Sequence, residues 1–187
     1  HSIRRRQRQM CIRDSLIGAS NWELKRFSEA RDYAQTNQKE SFSVLSNNFS
    51  LAQMVDPVWP GCVGINSEYI NYIVKNDIML FPWSSQARGF FIKKKEVTSN
   101  QHFSNPSMEE EIRVWHDEKN LKRRAKCFEI ADKRNLQPIQ IALAYVLHKS
   151  PLIFPLIGPR TIFETNSSIE ATQIELSEKE LNELSIN

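Results

Sequence analysis

The chain has 187 residues, 40% of them apolar and 25% charged, a balance that fits one globular domain with a sizeable core and excludes a disordered polymer. It has no apolar run of membrane-span length and no secretory signal pattern, and its three cysteines, Cys11, Cys62 and Cys127, are too widely spaced for a disulfide framework or a zinc knuckle; a cytoplasmic protein without a metal or a membrane partner is expected. The net charge of +3 is concentrated at one end: outside residues 1–14 there are 20 basic and 21 acidic residues, a net of −1, which removes the electrostatic case for nucleic acid.

Along the chain, residues 5–14 (RRQRQMCIRD) come first. They carry no hydrophobic period and resemble the conceptual translation of a transposon-type sequencing-library adapter. Residues 1–14 are therefore set aside as a non-native tail, and the domain is expected to span residues 15–187, with native sequence starting near Ser15. "SLIGAS" reads as a short buried strand. Ser20 and Glu23 have capping-box spacing, and Leu24, Phe27, Ala30, Tyr33 and Ala34 follow at helical spacing to about residue 38. "SFSVLSN" is a second strand, and a loop with Pro57, Pro60 and Gly61 leads to a short helix near residues 68–75. "DIMLFPW" is a third strand with Pro82 near its end. Residues 93–108 are polar and expected to form an exposed excursion. Helices are expected over 108–117, 118–134 and 138–149, the last with Pro138 in its first turn. "PLIFPLIG" is a fourth strand. Thr161 with Glu164, and Ser177 with Glu180, form capping boxes that start the last two helices.

Strands alternating with helices imply parallel βαβ units, in an open doubly wound sheet or as part of a (β/α)8 barrel. Either architecture binds ligands at the carboxyl ends of its strands. Those ends carry Gly18 to Asn21, Ser46 to Asn48, Trp83 to Ser85 and Gly158 to Arg160, all small, polar or aromatic. A helix N-terminus beside Gly158 and Arg160 suits a phosphate, and Arg160 adds a planar donor fork. The plainer readings are a turn for Gly158, a solvated Arg160, an N-cap for Ser20 and a core aromatic for Trp83. Tyr145, His148 and Lys149 share one helix face and are acid–base types, but they precede a strand, on the stability side of a barrel, so a packing role is expected.

These segments together resemble the C-terminal half of an aldo-keto reductase. "IGASNW" is similar to the end of that family's fifth strand, and "LFPWSSQARGFF" to its seventh strand and loop. "NLKRRAKCFEIADKRNLQPIQIALAYVL" is similar to the helices before its last strand, "PLIGPRTIFET" to the eighth strand and phosphate turn, and "IEATQIELSEKELNEL" to the closing helices. The resemblance implies a partial (β/α)8 barrel, about strands 5–8, and NADP as cofactor for the reduction of small aldehydes or ketones. It implies that Ser20 and Asn21 hold the nicotinamide carboxamide and that Trp83 stacks on the ring. Ser84, Ser85, Gln86 and Arg88 would line the pyrophosphate, with Gly158 and Arg160 at the 2′-phosphate and Glu164 near the adenine. Ser46 stands where many members carry glutamine, Glu164 where glutamine or arginine is common, and Ser168 where asparagine is common.

The family's catalytic Asp, Tyr, Lys and His belong to its first four strands. None is expected on this chain, whose missing partner would be the N-terminal half of the barrel. The leading expectation is thus a fragment of an NADP-dependent oxidoreductase, inactive alone. The alternative is a non-catalytic, cofactor-binding regulatory protein of the same fold.

Overall fold

The computed structural model describes residues 16–92 and 108–185. The tail at residues 1–14 and most of the polar excursion lie outside the described residues. The sheet contains β1 (Gly18–Ser20), β2 (Val44–Ser46) and β3 (Met79–Leu80), parallel and side by side in chain order. α1 (Leu24–Thr36) connects β1 to β2, and α2 (Ser67–Lys75) connects β2 to β3. After a 3-10 turn (Ala87–Gly89) come α3 (Met108–Trp115), α4 (Glu118–Arg134), α5 (Pro138–Leu147), α6 (Ile162–Ala171) and α7 (Glu178–Leu184).

The expected fourth strand is not formed as an element. Residues 152–156 instead run beside β3 through one bridge, Leu80 to Ile153. Leu80 N–H donates to Leu152 O (2.8 Å), Phe154 N–H to Leu80 O (2.8 Å) and Leu156 N–H to Pro82 O (3.0 Å). Pro82 lacks the N–H that would donate to Phe154 O and continue the ladder, which keeps the pairing short. The neighbour order thus follows chain order throughout. A doubly wound sheet reverses its order at a switch point, whereas sequential winding belongs to a barrel.

One row of side chains sets the register. Ala19 pairs with Leu45, Leu45 with Leu80, and Leu80 with Ile153; all four are buried. Alternation sends Ser20, Ser46 and Phe81 to the opposite face. That face is more open: Phe81 stacks on Phe154 at 5.3 Å, and Phe154, Leu156 and Ile157 are exposed. Gly18 is required where β1 meets β2, since a Cβ there would lie 2.9 Å from both Val44 Cβ and Val44 O.

The helices cover the other side. α5 is buried from Pro138 to Val146, and it packs between α4 and α6. Pro138 occupies its first turn as expected, and Gln137 and Gln140 close a reciprocal capping box. Cys127 of α4 is fully buried, donates to Pro138 O at 3.0 Å, and has its thiol pushed well above the usual range by burial.

The capping expectations divide. Ser177 and Glu180 form the expected box. Thr161 caps α6 by accepting from Glu164 N–H (3.2 Å), but the Glu164 carboxylate accepts from Arg160 N–H (2.5 Å) and so reaches one residue past the cap. Ser20 does not cap α1. Glu23 is the boundary residue, without a side-chain cap, because Ser20 lies within β1, three residues before the boundary. The α1 entry is satisfied instead by Tyr69 of α2, whose hydroxyl accepts from Leu24 N–H (2.8 Å) and donates to Glu23 Oε2 (3.2 Å).

Tyr145, His148 and Lys149 are packing residues, as expected. His148 Nε2 accepts from Leu176 N–H (3.2 Å) while Nδ1 faces Ala144 O (2.8 Å), and Tyr145 and Lys149 both meet Ser185 Oγ.

Gly18→Ala is expected to destabilise the chain by about 1–3 kcal/mol, because backbone and not a flexible side chain blocks the added carbon; chemical denaturation checks this. Burial and the adjacent Glu23 carboxylate push the Tyr69 phenol up from 10.0 to about 12, against the opposing Leu24 hydrogen bond. The folded state therefore favours the protonated phenol. That contribution is full below the unfolded value near pH 10 and is lost as pH rises through 12. Tyr69→Phe should lower stability at neutral pH by about 1–2 kcal/mol and remove part of the decline between pH 10 and 12, read from denaturation midpoints across that window.

Candidate active site

Parallel strands in register bring their carboxyl ends to one edge, where two clusters form. The first involves β1 and β2. Ser20 Oγ donates to Ser46 O (2.9 Å), Asn21 N–H donates to the same oxygen (3.2 Å), and Ser46 Oγ donates to Phe81 O (2.8 Å). Asn21 has a left-handed backbone (φ 55°), and its Oδ1 accepts from Val63 N–H (3.2 Å). These three residues are bonded mainly to one another and to main chain, outside the cavity described next.

The second cluster surrounds a cavity of about 450 Å³. Trp83, Ser84, Ser85, Gln86 and Arg88 line it from the segment after β3. Gly158, Arg160 and Glu164 line it from the entry to α6, and Glu110 from α3. The segment after β3 is unusual in its backbone: Ser84, Ala87 and Arg88 all have φ near +50°, which curls the main chain around the cavity. Buried Ser85 locks the curl to the far wall by donating to Leu156 O (2.8 Å). Gln86 Nε2 donates to Ser168 Oγ (3.3 Å), tying the same curl to α6. Arg124 of α4 holds the exit, donating to Phe90 O (2.7 Å) and Ile92 O (3.3 Å).

Charge in the cavity is mixed. Arg88 is paired with Glu110, while the Glu164 carboxylate is engaged by the Arg160 main chain. Gly158 lies outside the left-handed region, and a Cβ on it would meet nothing within 4 Å. Neither turn geometry nor packing therefore demands glycine there, and the backbone is open to the cavity. The indole N–H of Trp83 is buried and has no acceptor among the described residues. Around the cavity, then, lie an aromatic ring with an unused donor, a curled main chain, an open glycine, two guanidinium groups and a helix N-terminus.

The sequence reading placed Asn47 and Asn48 at a ligand-facing strand end but did not foresee that they hold the strand ends together. Buried Asn47 pairs with the Trp22 main chain through both ends of its amide. Asn48 bridges to Gly64 and to Trp83, and its Nδ2 donates to Trp83 O (3.1 Å). Two adjacent asparagines at the end of an apolar strand were the available signal, since buried amides need partners.

The model of the aldo/keto reductase family matches residues 15–186. The chain belongs to the aldo/keto reductase family. It is 32% identical over 170 residues to norsolorinic acid reductase of Aspergillus flavus, covering 90% of this chain and 39% of that protein. It is 34% identical over 107 residues to norsolorinic acid reductase stcV of Emericella nidulans, 57% of this chain and 26% of that one. An aryl-alcohol dehydrogenase of Pestalotiopsis microspora is 27% identical over 169 residues, with coverages of 90% and 40%. The chain thus spans between a quarter and two fifths of the length of these relatives. Its fold matches the crystal structure of a thermostable aldo-keto reductase in complex with the inhibitor epalrestat, with a TM-score of 0.62 at 20% identity, covering 98% of this chain and 51% of that one. This is the barrel-type α/β fold of the family. Among the described residues, no helix is long and apolar enough to cross a membrane.

Ser85→Ala should cost about 1–2 kcal/mol, because the Leu156 carbonyl loses its buried donor, whereas Gly158→Val should leave the melting temperature unchanged. Thermal unfolding of the two variants beside the parent chain checks both.

Proposed function

We propose that this chain is the cofactor-holding half of an NADPH-dependent carbonyl reductase, comprising about strands 5–8 of a (β/α)8 barrel. The observation that carries the reading is the cavity, which gathers chemistry for each part of a dinucleotide. Trp83 offers a planar surface and a buried donor for the ring that would be nicotinamide. Ser84, Gln86 and the curled backbone face the diphosphate. Arg160 and the first turn of α6 suit the 2′-phosphate, and the open backbone at Gly158 admits close approach. Glu164 takes the Arg160 N–H and steadies the phosphate turn. Ser20, Asn21 and Ser46 form the neighbouring edge, from which Ser20 and Asn21 would meet the carboxamide.

NADPH supplies a hydride, and the carbonyl oxygen must also receive a proton. Among the described residues that line the cavity there is no Tyr, His or Lys, its two arginines do not release protons near neutrality, and its carboxylates are engaged as acceptors, Glu110 by Arg88 and Glu164 by the Arg160 N–H. The chain's own part is therefore to bind and orient the cofactor, with the proton donor contributed by the other half of the barrel. The exposed Phe154, stacked on Phe81 on the open sheet face, supports a chain that packs against such a half. Relatives named norsolorinic acid reductase and aryl-alcohol dehydrogenase support carbonyl and alcohol as the redox pair.

The test is cofactor binding to the 187-residue chain by calorimetry, with an NADPH-oxidation assay on simple aldehydes. NADPH should bind without turnover. Arg160→Ala should weaken NADPH by about 1.5–3 kcal/mol and NADH far less, since only NADPH carries the 2′-phosphate. Equal weakening of both, or turnover by the chain alone, would overturn the assignment.

A further inference from the structure

Trp59 lies outside the cavity, yet its ring stacks on Trp83 with centroids 5.1 Å apart and planes 25° from parallel. Its side chain is conspicuous because it is 47% exposed and still held by extensive structure. On the upstream side, Arg113 of α3 donates to Pro57 O (2.6 Å) and Val58 O (3.0 Å) and pairs with Asp56. Val55 N–H donates to Val114 O (2.8 Å). Fully buried Asn120 of α4 brackets Gln53, accepting from its N–H (2.8 Å) and donating to its carbonyl (2.7 Å).

On the downstream side, Trp59-Pro60-Gly61-Cys62 closes a turn: Cys62 N–H donates to Trp59 O (3.2 Å), and Gly61 has φ +85°. Proline at the second position and a positive-φ glycine at the third are the requirements of a type II turn. The chain then returns to the sheet, where Asn48 N–H donates to Val63 O (2.9 Å) and Ile65 N–H to Asn48 O (2.9 Å). The Asn48 side-chain amide donates to the Trp83 carbonyl. The backbones of both tryptophans are thus tied to a common frame.

Met54, Val58 and Val63 of the same loop pack against the core, whereas the Trp59 ring is left half exposed against Trp83. Its effect is to fix the plane of Trp83. We propose that Trp59, clamped by Arg113, is a positioning residue that fixes the Trp83 indole as a platform for the planar ring of the cofactor. This rests on the cofactor reading above. It assigns the Arg113 fork an indirect part in ring affinity: it acts through Trp59 on Trp83. Asp56 serves mainly to neutralise Arg113, so the carbonyl bonds carry the clamp.

The experiment uses the 187-residue chain with two probes, NADP+ and 2′,5′-ADP, which lacks the nicotinamide. Stacked indoles give an exciton couplet in far-ultraviolet circular dichroism. W59F and W83F should each abolish it, R113A and R113K should reduce it, and D56N should keep it. W59A should lose the extra affinity of NADP+ over 2′,5′-ADP by roughly three- to tenfold, and W59F, which keeps a ring, should retain most of it. Affinity for 2′,5′-ADP should be the same in the Trp59, Arg113 and Asp56 variants as in the parent chain. A couplet indifferent to R113A and R113K, a W59A chain that keeps its NADP+ preference, or one that weakens both probes alike would overturn the positioning role. Failure of the parent chain to bind 2′,5′-ADP would overturn the cofactor reading, whereas 2′,5′-ADP binding with no added affinity for NADP+ would overturn this one.

Discussion

Four buried side chains in a line, Ala19, Leu45, Leu80 and Ile153, hold the parallel segments at a common height beneath the helices. A slip of one residue in any segment would turn its apolar side chain to the open face and bring a serine or phenylalanine under the helices. Because the row cannot slip, the carboxyl ends of β1, β2, β3 and the segment at 153 emerge on the same side. The cavity depends on this. Trp83 and Gly158 stand far apart in sequence, and they meet because each follows the same buried row by a few residues.

Above that row, local strain is absorbed by specific bonds. The curl from Ser84 to Arg88 holds three non-glycine residues at positive φ, a conformation that costs energy at each position. Ser85, Gln86 and Arg124 tie the curl to the 156 segment, to α6 and to α4. α3 touches both ends of the site, since Glu110 pairs with Arg88 at the cavity while Arg113 reaches the loop that carries Trp59. A perturbation of α3 would thus act on the charged end and the aromatic end together.

Much of this was readable from the chain. Apolar runs and capping pairs located β1 to β3 and every described helix, because burial periodicity and terminal hydrogen bonds are local properties. Where local rules compete with tertiary ones, the reading failed. Ser20 has cap spacing to Glu23, but β1 takes it and Tyr69, distant in sequence, closes the helix entry instead. "PLIFPLIG" has the composition of a buried strand, but Pro82 of the neighbouring segment cannot donate the next ladder bond and limits it to a bridge. Of the candidate site residues, those near Trp83 and Gly158 converge on one cavity, while Ser20, Asn21 and Ser46 bond chiefly among themselves. The part played by Trp59 was invisible, because nothing in its own neighbourhood names Arg113 or Trp83 as partners.

The burial of Cys127 gives the chain an internal clock. Its thiol sits between α4 and the start of α5, fully enclosed and hydrogen-bonded to Pro138 O, with ionisation suppressed. A thiol reagent needs both access and thiolate, and here the fold withholds both. Cys62, on the Trp59 turn, is only partly enclosed. A reagent can therefore reach Cys62 in the folded chain, whereas reaction at Cys127 waits until α4 and α5 separate. Of the two cysteines among the described residues, the buried one thus measures how long the helical layer stays shut.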